Sequence, residues 1–144
     1  MTNLNLGPLE DAVSQLEDAL DIYHSDLALD NPRLKRHLRA AVIQAFEFTY
    51  ELSFRMLRRY LELASANPAE IDELVFNDVI REAYRQALLK SELPEWMEFR
   101  RNRGTTSHTY NEAKAQEVFE SVPDFLQEAR YLLNRLQERV GSFE

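Results

Sequence analysis

The chain has no cysteine, three glycines and five prolines in 144 residues, and each scarcity removes a class of protein. Without cysteine there is no disulfide framework, no thiol nucleophile and no cysteine-ligated zinc or iron–sulfur site. Gly7, Gly104 and Gly141 with Pro8, Pro32, Pro68, Pro94 and Pro123 are too little punctuation for a β-fold, which needs many turn residues. Few helix breakers are instead the mark of a helical protein. No apolar run approaches the ~20 residues of a membrane span, and the opening MTNLNLGPLEDAV has no basic region followed by an apolar block. The expectation is a cytoplasmic protein with no membrane partner. Positive charge is also short: 17 Lys and Arg face 25 Asp and Glu, a net charge of −8. That argues against a generic nucleic-acid binder, whose footprint is a net basic face, yet leaves room for a small basic site. What remains is 44% apolar and 29% charged, enough for one soluble domain over residues 1–144 with a single core.

Hydrophobic spacing divides the chain into helices. Leu6, Leu9, Val13, Leu16, Leu20, Tyr23 and Leu27 recur at steps of three and four, so one helical face is apolar until Asn31-Pro32 stops it. From about residue 33 to 64, Leu38, Val42, Phe46, Thr49, Leu52, Met56 and Tyr60 mark a second stripe on a helix roughly 45 Å long. A shorter helix is expected in 68–90 with Asn77 as N-cap. A fourth opens near Pro94, carries Trp96, Met97 and Phe99, and should end or distort at Gly104. The last starts near Thr109, where Thr109-x-x-Glu112 has capping-box form and Asn111 is the alternative cap, and Pro123 should kink or break it. The spacing predicts an all-α, antiparallel up-and-down bundle of four long helices plus a short one.

Residues suited to chemistry gather between Arg100 and Tyr110. Arg100, Arg101 and Arg103 stay charged at any working pH and bind phosphate in bidentate fashion. His108 can give or take a proton near neutrality. Together these suffice for metal-free cleavage of RNA, with His108 moving the 2′-hydroxyl proton and an arginine holding the phosphate. Five residues on an unbroken helix turn about 500°, which leaves Arg103 and His108 roughly 140° apart. They share a site only if the helix breaks near Gly104 or if two chains contribute to one cleft. The plainer alternative is a helix C-terminus at which arginines complement the dipole and His108 caps a carbonyl.

Two further groups stand out. Glu47 and Glu51 lie one turn apart among apolar neighbours. They are either a solvated edge, a buried carboxylate in need of an arginine, or a pair for a hard cation. Arg55 and Arg58, with Arg59, form a second basic cluster. It either joins Arg100 and Arg101 in a phosphate- or nucleotide-binding patch or pairs with Glu51 and Glu62 on the surface.

Three blocks, in order and spacing, carry a resemblance: Arg39-Ala-Ala-Val-Ile-Gln-Ala-Phe-Glu-Phe-Thr-Tyr-Glu-Leu-Ser-Phe-Arg55, then Trp96-Met97, then Arg103-x4-His108-x-Tyr110-Asn111-Glu112. Over nearly its whole length the chain resembles the nucleotidyltransferase substrate-binding protein family, the HepT-like branch of the HEPN proteins. The resemblance implies a helical bundle that forms homodimers and pairs with a minimal nucleotidyltransferase. It needs no cofactor and no metal. It further implies the toxin of a toxin–antitoxin pair, with Arg103 and His108 catalytic in RNA cleavage across the dimer, and Tyr110 the residue adenylylated by the partner. Glu47, Glu51 and Asn102 would support the site. Family members commonly have a polar residue directly after the motif arginine; here Gly104 stands there, and Asn102 lies one place before Arg103. The alternative function is a non-catalytic subunit that binds a nucleotide or substrate for the nucleotidyltransferase. A third is an interaction module whose dimer interface is all that matters.

Overall fold

The computed structural model describes residues 4–143, and its elements are helices α1 (Gly7–Tyr23), α2 (Pro32–Ala64), α3 (Pro68–Asp72), α4 (Phe76–Arg85), α5 (Leu93–Thr105) and α6 (Glu112–Phe143). Short 3-10 turns, Asp26–Ala28 and Thr106–His108, sit between α1 and α2 and between α5 and α6. Side-chain pairs fix the directions. Glu17 on α1 meets Arg130, and Glu10 meets Gln137, so α1 and α6 run antiparallel. Arg39 meets Glu112, whereas Phe46 and Tyr50 meet Phe125 further along, so α2 and α6 run parallel. Trp96 reaches Glu128 and Arg101 reaches Glu117, so α5 is antiparallel to α6. The four longer helices therefore go up, down, up and down, and the expected bundle is there. The segment expected to hold one short helix holds two, α3 and α4.

The core is the sum of the apolar stripes. Leu9, Val13, Leu16 and Leu20 of α1, Val42, Phe46, Leu57 and Leu61 of α2, and Val118, Val122, Leu132 and Leu136 of α6 are buried together. A knot of rings seats α5 on this core. Phe125 lies edge-on to Phe46 at 5.1 Å and to Phe99 at 5.2 Å, and Trp96 meets Phe99 at 5.6 Å. Such pairs add to what their buried area contributes. Thr49, wholly buried on α2, donates its hydroxyl to the carbonyls of Ala45 and Ala12 and so is itself satisfied at the α1 contact.

Helix ends differ from the sequence reading in instructive ways. The first helix stops at Tyr23 rather than running to Asn31, and Leu27 is 69% exposed on the turn that follows, so the stripe overreaches by one residue step. Asn77 lies inside α4, whose N-cap is Val75. Helix α5 passes through Gly104 and ends at Thr105 before tightening into the 3-10 turn. Met97, on the outward face of α5, is half exposed, unlike its neighbour Trp96. Of the two caps considered for α6, Asn111 is the one used: its Oδ1 accepts from the Lys114 N–H at 3.1 Å. Helix α6 is unbroken at Pro123, because Val122, Phe125 and Leu126 are buried around it and tertiary packing outweighs one lost backbone bond.

One backbone turn matters later. Ala87 closes α4 in the left-handed region, at φ 62°, with the Leu88 N–H returning to the Ala83 carbonyl. That reversal is the usual way to end a helix, though glycine is the residue that does it without strain. It buries Leu88 and Leu89 and brings the N–H groups of Lys90 and Ser91 onto Glu128 of α6.

Candidate functional site

Helix α5 brings Arg103 against α2. Its Nε donates to Glu51 Oε1 at 3.2 Å and its Nη2 ion-pairs with the same carboxylate. Nη1 donates to Thr106 Oγ1 at 3.3 Å, and Glu47 Oε2 stands 3.9 Å away. Thr106 in turn donates to Glu47 at 2.5 Å, so one hydroxyl ties the second carboxylate to the arginine's turn. The bond to Glu51 holds the Arg103 guanidinium above the ordinary arginine pKa, against the opposing effect of its burial. Glu51 is exposed and Glu47 half-buried, so neither carboxylate is forced into the core; the pair lies on a solvated edge and from there holds Arg103. A guanidinium has five N–H donors. Three are used here, and two have no acceptor among the described residues. Arg103 is therefore fixed in orientation while keeping donors for an incoming phosphate.

Beside it an open groove of about 630 Å³ runs between α2, α4 and α5. Arg58, Arg100 and Arg103 line it with Tyr50, Phe54 and Phe76. Phe54 and Phe76 stack at 5.4 Å and 24°, and the Arg100 guanidinium lies 4.5 Å over the Phe76 ring. Arg58 donates to the carbonyls of Asp72 at 2.6 Å and Leu74 at 3.5 Å, anchoring the loop between α3 and α4 instead of pairing with Glu51 or Glu62. Burial pushes the Tyr50 phenol up to about 12, more than Arg100 and Arg103 pull it down, so it stays neutral. Cations set among flat aromatic faces suit a ligand that has both phosphate and base.

The other sequence candidates divide. Arg55 lies in a neighbouring depression with Arg59 and Glu62, near Pro8 at the start of α1, and Arg58 lines both hollows. Arg101 faces away from the groove and pairs with Glu98 at 2.5 Å and Glu117 at 3.0 Å. Asn102 is buried on the opposite side of α5 from the groove's aromatic pair, lining a second cleft. His108 is exposed on the 3-10 turn, and Tyr110, 88% exposed, has its ring 6.3 Å from the imidazole. No hydrogen bond or ring contact joins His108 to Arg103 among the described residues, as their angular offset along the chain suggests. No group of three or more His, Asp or Glu side chains among the described residues is set to hold a metal ion. No described helix is long and apolar enough to cross a membrane.

Three partners escaped the sequence reading. Thr106 bridges Arg103 and Glu47, and nothing in its local sequence marks it as their partner. Arg39, largely buried, ties α2 to the start of α6 through Glu112 at 2.8 Å and Gln116 at 3.1 Å. Its hydrogen bond is the main cause that holds the Glu112 carboxyl below the usual range. Glu128 is wholly buried and accepts from Trp96 Nε1 at 3.1 Å. A signal for it existed, since Glu128 falls at steps of three and four between Phe125 and Leu132 on the apolar face.

Comparison with known proteins adds to this geometry. Residues 4–138 match the family model described as nucleotidyltransferase substrate binding protein like. A protein of Haemophilus influenzae named probable ribonuclease HepT is 37% identical over 139 residues, which cover 94% of each chain. A solved structure from the same organism, described as the fold of a substrate binding domain of a nucleotidyltransferase, superposes with a TM-score of 0.85 at 36% identity. It covers 92% of this chain and 99% of its own.

Proposed function

The chain belongs to the nucleotidyltransferase substrate-binding protein family, and from that premise we propose that it is the HEPN-type partner subunit of a minimal nucleotidyltransferase, acting as the ribonuclease toxin of a toxin–antitoxin pair. In this reading two copies associate, and Arg103 of one faces His108 of the other across a shared cleft. The His108 imidazole takes the proton of an RNA 2′-hydroxyl. The 2′-oxygen bonds to phosphorus, the bond from phosphorus to the 5′-oxygen breaks, and the leaving oxygen takes a proton from water. Arg103, held by Glu51 and Thr106, offers its two free N–H donors to the phosphate oxygens as charge develops there. General acid–base transfer of this kind contributes about 10²–10⁴ in rate.

The observation that carries the reading is the paired setting of His108 and Tyr110 on one exposed turn directly after Arg103. A nucleotide added to the Tyr110 hydroxyl would cover the imidazole and place negative charge where RNA must approach. Glutamates pinning the arginine, with donors to spare, supply the second half of the site.

A second reading rests on the groove itself: Arg58, Arg100 and Arg103 with the Phe54–Phe76 stack suit a nucleotide held for the nucleotidyltransferase to act upon. One set of measurements separates the two. The purified protein is incubated with RNA in EDTA beside His108→Ala and Arg103→Ala, and with the nucleotidyltransferase and ATP before intact-mass measurement. Cleavage that falls at least ~100-fold in either variant, and a mass increase lost in Tyr110→Phe, are expected. Cleavage that survives both substitutions sinks the catalytic assignment. No cleavage from a folded dimer that still binds nucleotide in calorimetry leaves the second reading in its place.

A further inference from the structure

On the face of α5 away from the arginine groove lies a cleft of about 400 Å³ between α5 and α6. The two helices pack through the Trp96, Phe99 and Phe125 rings, and the cleft beside those rings is lined mostly by polar side chains. Glu95, Glu98 and Asn102 fall three and four residues apart on α5, and Asp124 and Glu128 are one turn apart on α6, so exposed carboxylates of Glu95, Glu98 and Asp124 rim the cleft above the buried Asn102 and Glu128. Four carboxylates face a single ammonium, Lys90, whose Nζ is taken by Gln127 at 3.4 Å. Arg101 reaches Glu98 only from the outer side, where Glu117 shares it.

At the base of the cleft two acceptors are buried without a donor. Glu128 is 1% exposed, and its Oε2 is saturated by the N–H groups of Lys90 at 3.1 Å, Ser91 at 3.2 Å and Trp96 Nε1 at 3.1 Å. Its Oε1 has no partner. Asn102, 3% exposed, has its Oδ1 in the same condition. Buried polar atoms are almost always paired, so two orphaned acceptors on residues that line one cleft suit a donor supplied from outside the chain. A metal ion does not answer, since the described residues bring no three carboxylates together around a point. The match is a cation with several N–H donors and an aliphatic body to lie along Phe99.

We propose that the cleft between α5 and α6 binds an aliphatic polyamine, with one ammonium seated between Glu128 Oε1 and Asn102 Oδ1 and a second on the rim carboxylates Glu95 and Asp124. The site lies apart from the arginine groove and uses neither Arg103, His108 nor Tyr110; Asn102, expected from the sequence to support that groove, lines this cleft instead. Spermidine is the probe, titrated into the full-length protein by calorimetry at physiological ionic strength. Saturable binding of one molecule per chain is expected. Glu128→Gln keeps an acceptor for the Trp96 N–H but replaces Oε1 with a donor, and should weaken binding at least ~10-fold, far more than one charge among many in a diffuse acidic surface. The exposed double change Glu95→Gln/Asp124→Asn leaves the core untouched and should weaken it several-fold, which keeps the test valid if Glu128→Gln does not fold. Spermidine binding that is absent, non-saturating, or equal in the variants and the parent overturns the proposal.

Discussion

Two grooves flank α5, and they are opposites. One gathers Arg58, Arg100 and Arg103 against stacked phenylalanines; the other gathers Glu95, Glu98, Asp124 and Glu128 around two orphaned acceptors. Helical spacing alone sorts them, since Arg100 and Arg103 share one face of α5 while Glu95, Glu98 and Asn102 share another. The lesson is that a net charge of −8 describes neither groove. A sum over the chain constrains solubility and generic affinity for nucleic acid, but a site is decided by which charges one face presents. In the basic groove the carboxylates of Glu47 and Glu51 orient the arginine. In the acidic cleft no described cation does the corresponding work at Glu128 Oε1.

The two sides share one seat, which gives the largest expected effect. Phe125 touches Phe46, Tyr50, Trp96 and Phe99, and those rings carry both walls of α5. Phe125→Ala should cost about 3–5 kcal/mol of stability in urea titration, because the ring cluster cannot collapse into the space. It should also abolish the distinction between the grooves by loosening α5 as a unit. A loss below ~1 kcal/mol would mean that α5 is held by its ends and that the aromatic knot is not its seat.

Tyr50 sharpens the comparison from the basic side. Burial keeps its phenol neutral in the folded chain until about pH 12, whereas an unfolded tyrosine ionises near ~10. A folded-state pKa raised above the unfolded one means the folded chain binds more protons between the two values. The contribution is therefore whole below about pH 10 and is lost as pH rises toward 12, at up to about 1.4 kcal/mol per pH unit. Tyr50→Phe should remove that slope from the difference between parent and variant in denaturant midpoints across this range. A parallel decline in both proteins would place Tyr50 in contact with water and deny the groove its dry wall.

Much of the bundle was legible because long amphipathic helices announce themselves. The stripes of α2 and α6 named their buried residues, and Asn31-Pro32 marked where α2 begins. Local signals failed where tertiary packing outvoted them. Pro123 has the chemistry of a break, but buried neighbours on both sides keep α6 continuous through it. Leu27 has the spacing of a core residue, but the helix has already ended. The motif Arg103, His108 and Tyr110 was readable as a block. What tied it together was not: Glu51 is 52 residues from Arg103 and Thr106 is 59 from Glu47, and no period links such pairs. The acidic cleft was harder still. Glu128 breaks an apolar stripe at one position, and only its three donors, all from the loop after Ala87 and from α5, explain why it is there.

The smallest expected effect falls at Gly104, on the lip of the basic groove. Glycine is required where φ is positive or where a Cβ would collide, and neither holds here. Gly104 lies in the last turn of α5, no glycine among the described residues has a positive φ, and a Cβ built on Gly104 meets nothing within 4 Å. The residue is thus a conformational cost without a steric reason, and Gly104→Ala should stabilise the protein by about 0.5–1 kcal/mol in urea titration. Cleavage should be little changed by it, because alanine adds no polar group to the groove. Gly104→Asn adds one beside Arg103 and should raise cleavage several-fold with a smaller gain in stability, since asparagine is the poorer helix former. The two substitutions separate a missing side chain from a loosened backbone. If alanine alone raises cleavage as much as asparagine, the glycine acts through the backbone that carries Arg103; if only asparagine does, the added side chain supplies a hydrogen-bonding partner for the phosphate.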